Sequence, residues 1–174
     1  KGMLPAMDVI GSRFSDGTVF IPEVLLSARA MNQGLELLEP HLVGESGGPG
    51  KIVIGTVKGD LHDIGKNLCI MMLNGAGFDV VDLGVDTSAD EFINAVEESG
   101  AQVMGMSALL TTTMPNMGKT IEAFIDADLR EDVQIMVGGA PVTQEFAEDM
   151  GADGYGKDAL ACVALAKQLL GINA

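Results

Sequence analysis

The chain changes its hydrophobic rhythm close to residue 50. Before that point apolar residues recur every three or four positions. Leu4, Met7, Ile10 and Phe14 form one stripe, and Val24, Ala28, Met31, Leu35 and Leu38 form a second. This spacing predicts two amphipathic helices and no strand. Ser15-Asp16-Gly17 ends the first helix. Pro22 suits the first turn of the second, with Glu23 at the positive end of its dipole, and Pro40 stops it. Two helices cannot bury both of their faces on each other. The pair must pack on the rest of the chain, on a ligand or on further helices.

From residue 51 onward, short apolar runs alternate with amphipathic stretches. The pattern predicts strands over 51–57, 79–83, 102–107, 134–137 and near 154–155. Helices are expected over 65–74, 88–99, 114–127, 143–150 and 158–170. Ser88 with Glu91 three residues later is a capping box, each side chain satisfying the other's unpaired N–H. Such alternation predicts an α/β fold, a parallel sheet covered on both faces. Five units favour the flavodoxin-like (Rossmann-like) five-stranded order 2-1-3-4-5 over the six-stranded dinucleotide fold. The expected division is a helical cap over 1–46, a linker over 47–50 within the Gly-rich run 45–50, and an α/β domain over 51–174.

Composition narrows the functional classes. A chain of 174 residues can hold one full domain and a small appendage, and 47% hydrophobic with 20% charged residues is a globular composition. Ten Lys and Arg against 25 Asp and Glu give a net charge of -15, which repels nucleic acid and anionic membranes. No apolar run approaches the roughly 18 residues of a membrane span. The start, with Lys1, does not read as a secretory signal, and the lack of an initiator Met suggests a piece of a longer protein. Cys69 and Cys162 sit in apolar helical patterns and are expected as buried reduced thiols. A cytoplasmic location agrees with these features.

The predicted topology also locates the chemistry. In a 2-1-3-4-5 sheet, ligands bind where the chain reverses direction, beyond the carboxyl ends of strands 1 and 3. The stretch KIVIGTVKGDLHDIGKN, residues 51–67, runs from a buried strand into a polar loop with Asp60, His62 and Asp63, and Gly65 opens the next helix. Residues 107–113 follow strand 3, and Gly138-Gly139-Ala140 follow strand 4. Neither G-x-G-x-x-G nor a P-loop follows strand 1, which excludes those phosphate sites. A zinc site lacks donors, because His41 and His62 are the only histidines and no Cys pair has ligand spacing. Ser107 stands where a response regulator needs its phosphorylated Asp, and its context, GMSAL, is not G-x-S-x-G. An Asp two residues before a His can accept a hydrogen bond from one ring nitrogen and leave the other for a metal. Gly65 allows a bulky group to approach the backbone. One protein ligand is enough when the metal arrives in a macrocycle, as in haem or corrin chemistry.

Three motifs stand together here: D-x-H-x-x-G as Asp60-Leu61-His62-Asp63-Ile64-Gly65, S-x-L as Ser107-Ala108-Leu109, and the pair Gly138-Gly139. With GDLHDIGKN, VDLGVD and SALLTTTM they resemble the cobalamin-binding module of corrinoid proteins and of cobalamin-dependent methionine synthase. The segment 14–31 resembles the end of that family's four-helix cap, whose first two helices have no counterpart in this sequence. The resemblance implies cobalamin or a related corrinoid, with His62 as the lower axial cobalt ligand in place of the nucleotide base and Asp60 hydrogen-bonded to it. It implies that Ser107 bonds the displaced base, and that Gly65, Leu109, Gly138 and Gly139 shape the tunnel for the nucleotide tail. Thr111 and Thr112 would lie near the corrin rim or tail, and Tyr155 and Asp158 near the displaced base. Phe14, Ile21 and Val24 match cap residues that shield the upper face, although Val24 could equally be helix packing.

The function implied is that of a methyl carrier rather than a complete enzyme. Its partners would be a substrate-specific methyltransferase, an acceptor methyltransferase using tetrahydrofolate or a thiol coenzyme, and a reductive activase. An adenosylcobalamin mutase subunit would pair with a barrel, and the helical cap argues against it. A cobalamin-sensing regulator shares the cap and the binding domain, but a charge of -15 opposes DNA binding. In an interaction module without a cofactor, His62 would be an ordinary loop histidine.

Overall fold

The computed structural model describes residues 3–38 and 48–172. Pro40, His41 and residues 45–47 of the expected linker lie outside the described residues. Two helices come first, α1 (Met3–Ser15) and α2 (Ile21–Leu38). Gly17, at φ 70°, makes the left-handed turn that ends α1. At the start of α2 the Glu23 carboxylate accepts the Phe20 N–H at 2.9 Å.

Five strands and five helices then alternate. They are β1 (Lys51–Thr56), α3 (Ile64–Gly75), β2 (Asp79–Asp82), α4 (Ala89–Ser99), β3 (Val103–Ser107), α5 (Pro115–Asp126), β4 (Gln134–Gly138), α6 (Gln144–Asp149), β5 (Gly154–Gly156) and α7 (Ala159–Leu169). Every neighbouring pair of strands is parallel, and the order is β2-β1-β3-β4-β5, as the sequence pattern predicts. The element ends agree with expectation to within a residue or two, the ordinary scatter of helix and strand ends. Ser88 is the N-cap of α4, and both halves of its capping box with Glu91 are present.

The pleat of β1 and β3 sends alternate side chains to two cores. Val53 and Met104 join Phe92 of α4 and Phe124 and Met117 of α5 on one face. Ile52 and Val103 join Leu73 of α3 and Val163 and Ala166 of α7 on the other. Phe92 and Phe124 are fully buried, each stabilising the fold by about 1.5–3 kcal/mol relative to exposure. The two N-terminal helices pack on the α3 side of the sheet. Met7, Ala28 and Met31 are buried there against Met71, and Val24 enters the α3–α7 core. A Cβ on Gly75 would sit 2.9 Å from Met7 Cε, so this glycine allows the close approach of α1 to α3.

The cysteines depart slightly from expectation. Both are free thiols, but only Cys162 is fully buried; Cys69 on α3 is half-covered. Among the described residues no helix is long and apolar enough to cross a membrane.

Candidate functional site

The register of the sheet carries three loops to one edge. Thr56 pairs with Ser107, and Ser107 with Gly138, so the loops after β1, β3 and β4 begin side by side. The Val57 N–H donates to Ser107 O at 3.0 Å and the Ala108 N–H to Gly138 O at 3.2 Å, which extends the pairing beyond the strands. Gly139 has φ 129°, and a Cβ there would lie 1.9 Å from Ala108 O. Only glycine permits this contact, so the Gly138-Gly139 pair fixes how closely the β4 loop approaches β3. A Cβ on Gly138 would come within 2.8 Å of Gly156 O on β5.

At the centre of the edge stands Asp60, with no exposed surface. Its Oδ1 accepts from the His62 backbone N–H at 3.1 Å and lies 2.7 Å from His62 Nδ1. Its Oδ2 accepts from the N–H groups of Leu109 and Leu110 at 2.8 and 3.2 Å and from Thr113 Oγ1 at 2.7 Å. Burial by itself would raise the pKa of this carboxyl. The hydrogen bonds from Thr113, the His62 ring, the Leu109 N–H and the His62 N–H outweigh that cost and hold it well below the usual carboxylate range. Asp60 is thus a fixed negative charge joining the β1 loop to the β3 loop.

That charge determines the state of the imidazole. A carboxylate only accepts, so Nδ1 of His62 carries the proton and donates it to Asp60, leaving the Nε2 lone pair available when the ring is neutral. The His62 side chain is half exposed, at 50%. Thr56 Oγ1, at 3.0 Å, donates to the His62 carbonyl and holds the loop from below. In the loops after β1 and β3, Leu61, Ile64, Leu109 and Leu110 expose apolar surface at the same sheet edge, Leu61 and Ile64 by more than two thirds. Apolar side chains exposed beside a half-exposed imidazole are a surface to be covered.

The arrangement suits a metal in a macrocycle. Among the described residues no group of three or more His, Cys, Asp or Glu side chains could hold a bare metal ion, and His62 offers one nitrogen. Gly65, in the first turn of α3, has no atom within 4 Å of where its Cβ would be. Neither its backbone nor its neighbours require glycine there, and the space over it is open to a bulky group. Among the described residues Ser107 Oγ, at the end of β3, has no hydrogen-bond partner.

The other expected residues are placed as follows. Thr111 and Thr112 are exposed, and among the described residues their hydroxyls have no hydrogen-bond partner; their neighbour Thr113 reaches Asp60 instead. Asp63 begins α3 and accepts from Asn67 Nδ2 at 3.0 Å rather than turning inward. Asp158 caps α7 by accepting the Ala161 N–H at 2.8 Å. Tyr155 lies on β5, half-buried against the α4–α5 core. Phe14, Ile21 and Val24 meet Leu68, Met71, Met72 and Ala159 around a small apolar recess between the cap and α3. Two residues beyond the motifs also matter. Lys66 is buried with its Nζ 2.6 Å from Asp82 Oδ1, tying the start of α3 to β2. Thr113 could have been suspected only as one of three consecutive threonines.

Comparisons with known proteins identify the family. Residues 50–164 match the family model of a B12 binding domain, and residues 1–39 match a second model of the same description. A corrinoid protein from Desulfitobacterium hafniense (strain Y51) is 42% identical over 175 residues, covering 98% of this chain and 81% of that protein. Trimethylamine corrinoid protein 1 from Methanosarcina mazei is 44% identical over 173 residues, covering 98% of this chain and 80% of its own. A chain of the methanol:cobalamin methyltransferase complex from Methanosarcina barkeri superposes with a TM-score of 0.87 at 29% identity, covering 99% of this chain and 66% of that one.

Proposed function

The chain belongs to the B12-binding corrinoid proteins, and from that premise we propose that it is a methyl carrier. It binds a corrinoid base-off with His62 as axial ligand and passes a methyl group from a substrate-specific methyltransferase to an acceptor methyltransferase. The observation that carries this reading is the contact of the half-exposed His62 ring with a wholly buried Asp60, 2.7 Å away. A corrinoid's cobalt supplies a centre that takes a methyl group from one donor and yields it to another.

The residues of the chain do the rest. Asp60 fixes the ring orientation and keeps Nδ1 as the donor, so Nε2 is the nitrogen left for the metal. Ser107 Oγ and the open space over Gly65 support a nucleotide tail entering between β1 and β3. Leu61, Ile64 and Leu109 offer apolar contact at the rim. Phe14, Ile21 and Val24 of the cap, which meet Leu68, Met71 and Met72 in the middle of α3, would cover the opposite face of the macrocycle and exclude water from it. The relatives named trimethylamine corrinoid protein, and the superposing chain of a methanol:cobalamin methyltransferase complex, support methyltransferases as partners. An acceptor enzyme using tetrahydrofolate or a thiol coenzyme, and a reductive activase, complete the proposed set.

The test is a transfer assay. Protein reconstituted with cobalamin is mixed with methyltransferases specific for methanol and for the methylamines, each with its substrate. At least one should methylate the wild type, and His62→Ala should slow that transfer roughly tenfold or more. Failure of every enzyme with the wild type, or full activity of His62→Ala, would contradict the proposal.

A further inference from the structure

The loop after β2 grips the histidine loop through one residue in a strained conformation. Asp86 has φ 56°, in the left-handed region that residues other than glycine seldom adopt. Its N–H donates to the carbonyl of Asp60 at 3.0 Å. Its Oδ1 accepts the Gly59 N–H at 2.7 Å, and its Oδ2 accepts from Lys58 Nζ at 3.0 Å. One aspartate thereby holds three consecutive residues, 58 to 60, that lead directly to His62. Gly59, at φ 81°, makes the matching turn on the other side. The clamp is anchored at both ends. Asn116 of α5 donates to Lys58 O at 2.7 Å, and the Thr87 N–H donates to Thr56 O at 2.9 Å.

Strain of this kind persists only where the surroundings over-determine it, and it gathers at functional sites. β1 and β2 pair over Lys51 to Ile54, and the pairing runs on through the Thr56 N–H to Gly84 O at 3.0 Å and a parallel bridge between Val57 and Thr87; the contacts of Asp86 with residues 58–60 lie beyond it. The clamp begins where that pairing ends and stops at Asp60. We infer that Asp86 is a positioning residue, which sets the pitch of the Asp60–His62 pair so that Nε2 meets the metal without the loop first having to order. The inference rests on the reading of His62 as axial ligand. Its prediction is specific: loss of the side-chain acceptor that holds the Gly59 N–H should weaken coordination by His62 while leaving the fold intact.

Two substitutions separate backbone from carboxylate. Asp86→Gly tolerates the left-handed backbone, keeps the N–H to Asp60 O and removes the side-chain contacts with Lys58 and Gly59; Asp86→Asn tolerates it and keeps an acceptor for Gly59. Each variant is titrated with cobinamide, a corrinoid with no nucleotide base, so that an axial nitrogen can come only from the protein. The Co(II) form is then examined by EPR for nitrogen splitting. Asp86→Gly is expected to lower affinity roughly tenfold and shrink the nitrogen-coordinated fraction, with Asp86→Asn within about twofold of wild type. In the protein without corrinoid, the His62 amide should exchange with solvent faster in Asp86→Gly alone, its far-UV circular dichroism unchanged. Wild-type affinity and splitting in Asp86→Gly would overturn the inference while leaving the axial role of His62 standing. Absence of splitting in the wild type would sink the axial role, and the inference with it.

Discussion

Asp60 grips both the backbone and the side chain of His62: its Oδ1 takes the His62 N–H at 3.1 Å and faces Nδ1 at 2.7 Å. The other oxygen of the same carboxylate holds the β3 loop through Leu109, Leu110 and Thr113. The residue that orients the candidate cobalt ligand is therefore also the rivet of the sheet edge, and its loss should be felt twice.

Replacing Asp60 with Ala strands several buried donors. Stability at neutral pH should fall by about 2–4 kcal/mol, read from urea unfolding. Corrinoid affinity should fall with it, and a fully stable Asp60→Ala would remove the rivet from the account.

The pH dependence follows from the same carboxylate. Its folded pKa lies below the value near 4 of an unfolded Asp, so the unfolded chain binds more protons as the solution is acidified. Its contribution is complete above about pH 4 and is lost as pH falls towards the folded value. Removing the Thr113 donor reduces that contribution. Thr113→Val should cost about 1–3 kcal/mol and move the acid-unfolding midpoint to higher pH, with Thr113→Ser close to wild type. Equal midpoints for Val and Ser would show that the hydroxyl is idle.

Two glycines should respond in opposite ways. Gly139→Ala forces a Cβ into the Ala108 carbonyl at a backbone angle hostile to side chains, and should lower stability by more than about 2 kcal/mol. Gly65→Ala meets only open space on a helix, and should raise the stability of the corrinoid-free protein by roughly 0.5–1 kcal/mol. A larger side chain, Gly65→Leu, should nevertheless abolish corrinoid binding. Thermal unfolding with and without cobalamin reads both effects, and undiminished binding by Gly65→Leu would show that nothing enters the open space over Gly65.

The fold was legible because periodicity is a local signal that tertiary packing here reinforces. Strands such as 51–57 and the Ser88–Glu91 box leave little choice of partner or period. Asp60 and His62 were legible for a similar reason, since two residues of spacing suffice for the hydrogen bond. Thr113 was not. Three threonines in a row carry no phase until the turn is known, and its N–H and Oγ1 both fold back on Leu110 O. The Asp86 clamp depends on how far the β2 loop reaches across β1, which no local pattern encodes. Lys66 reads as a polar helix position and is instead buried by its pairing with Asp82. The resting place of Phe14, Ile21 and Val24 depends on how the cap docks on α3, a matter of shape rather than period.

The central claim is that His62 supplies the axial nitrogen. Wild-type protein is grown with 15N-labelled histidine, loaded with unlabelled cobalamin, reduced to the Co(II) state and examined by EPR. The account predicts that the nitrogen splitting changes from the triplet of 14N to the doublet of 15N, and that neither appears with axial strength in His62→Ala. A triplet that persists in the labelled protein would mean that the nucleotide's own base holds the cobalt, and would contradict the role assigned to His62.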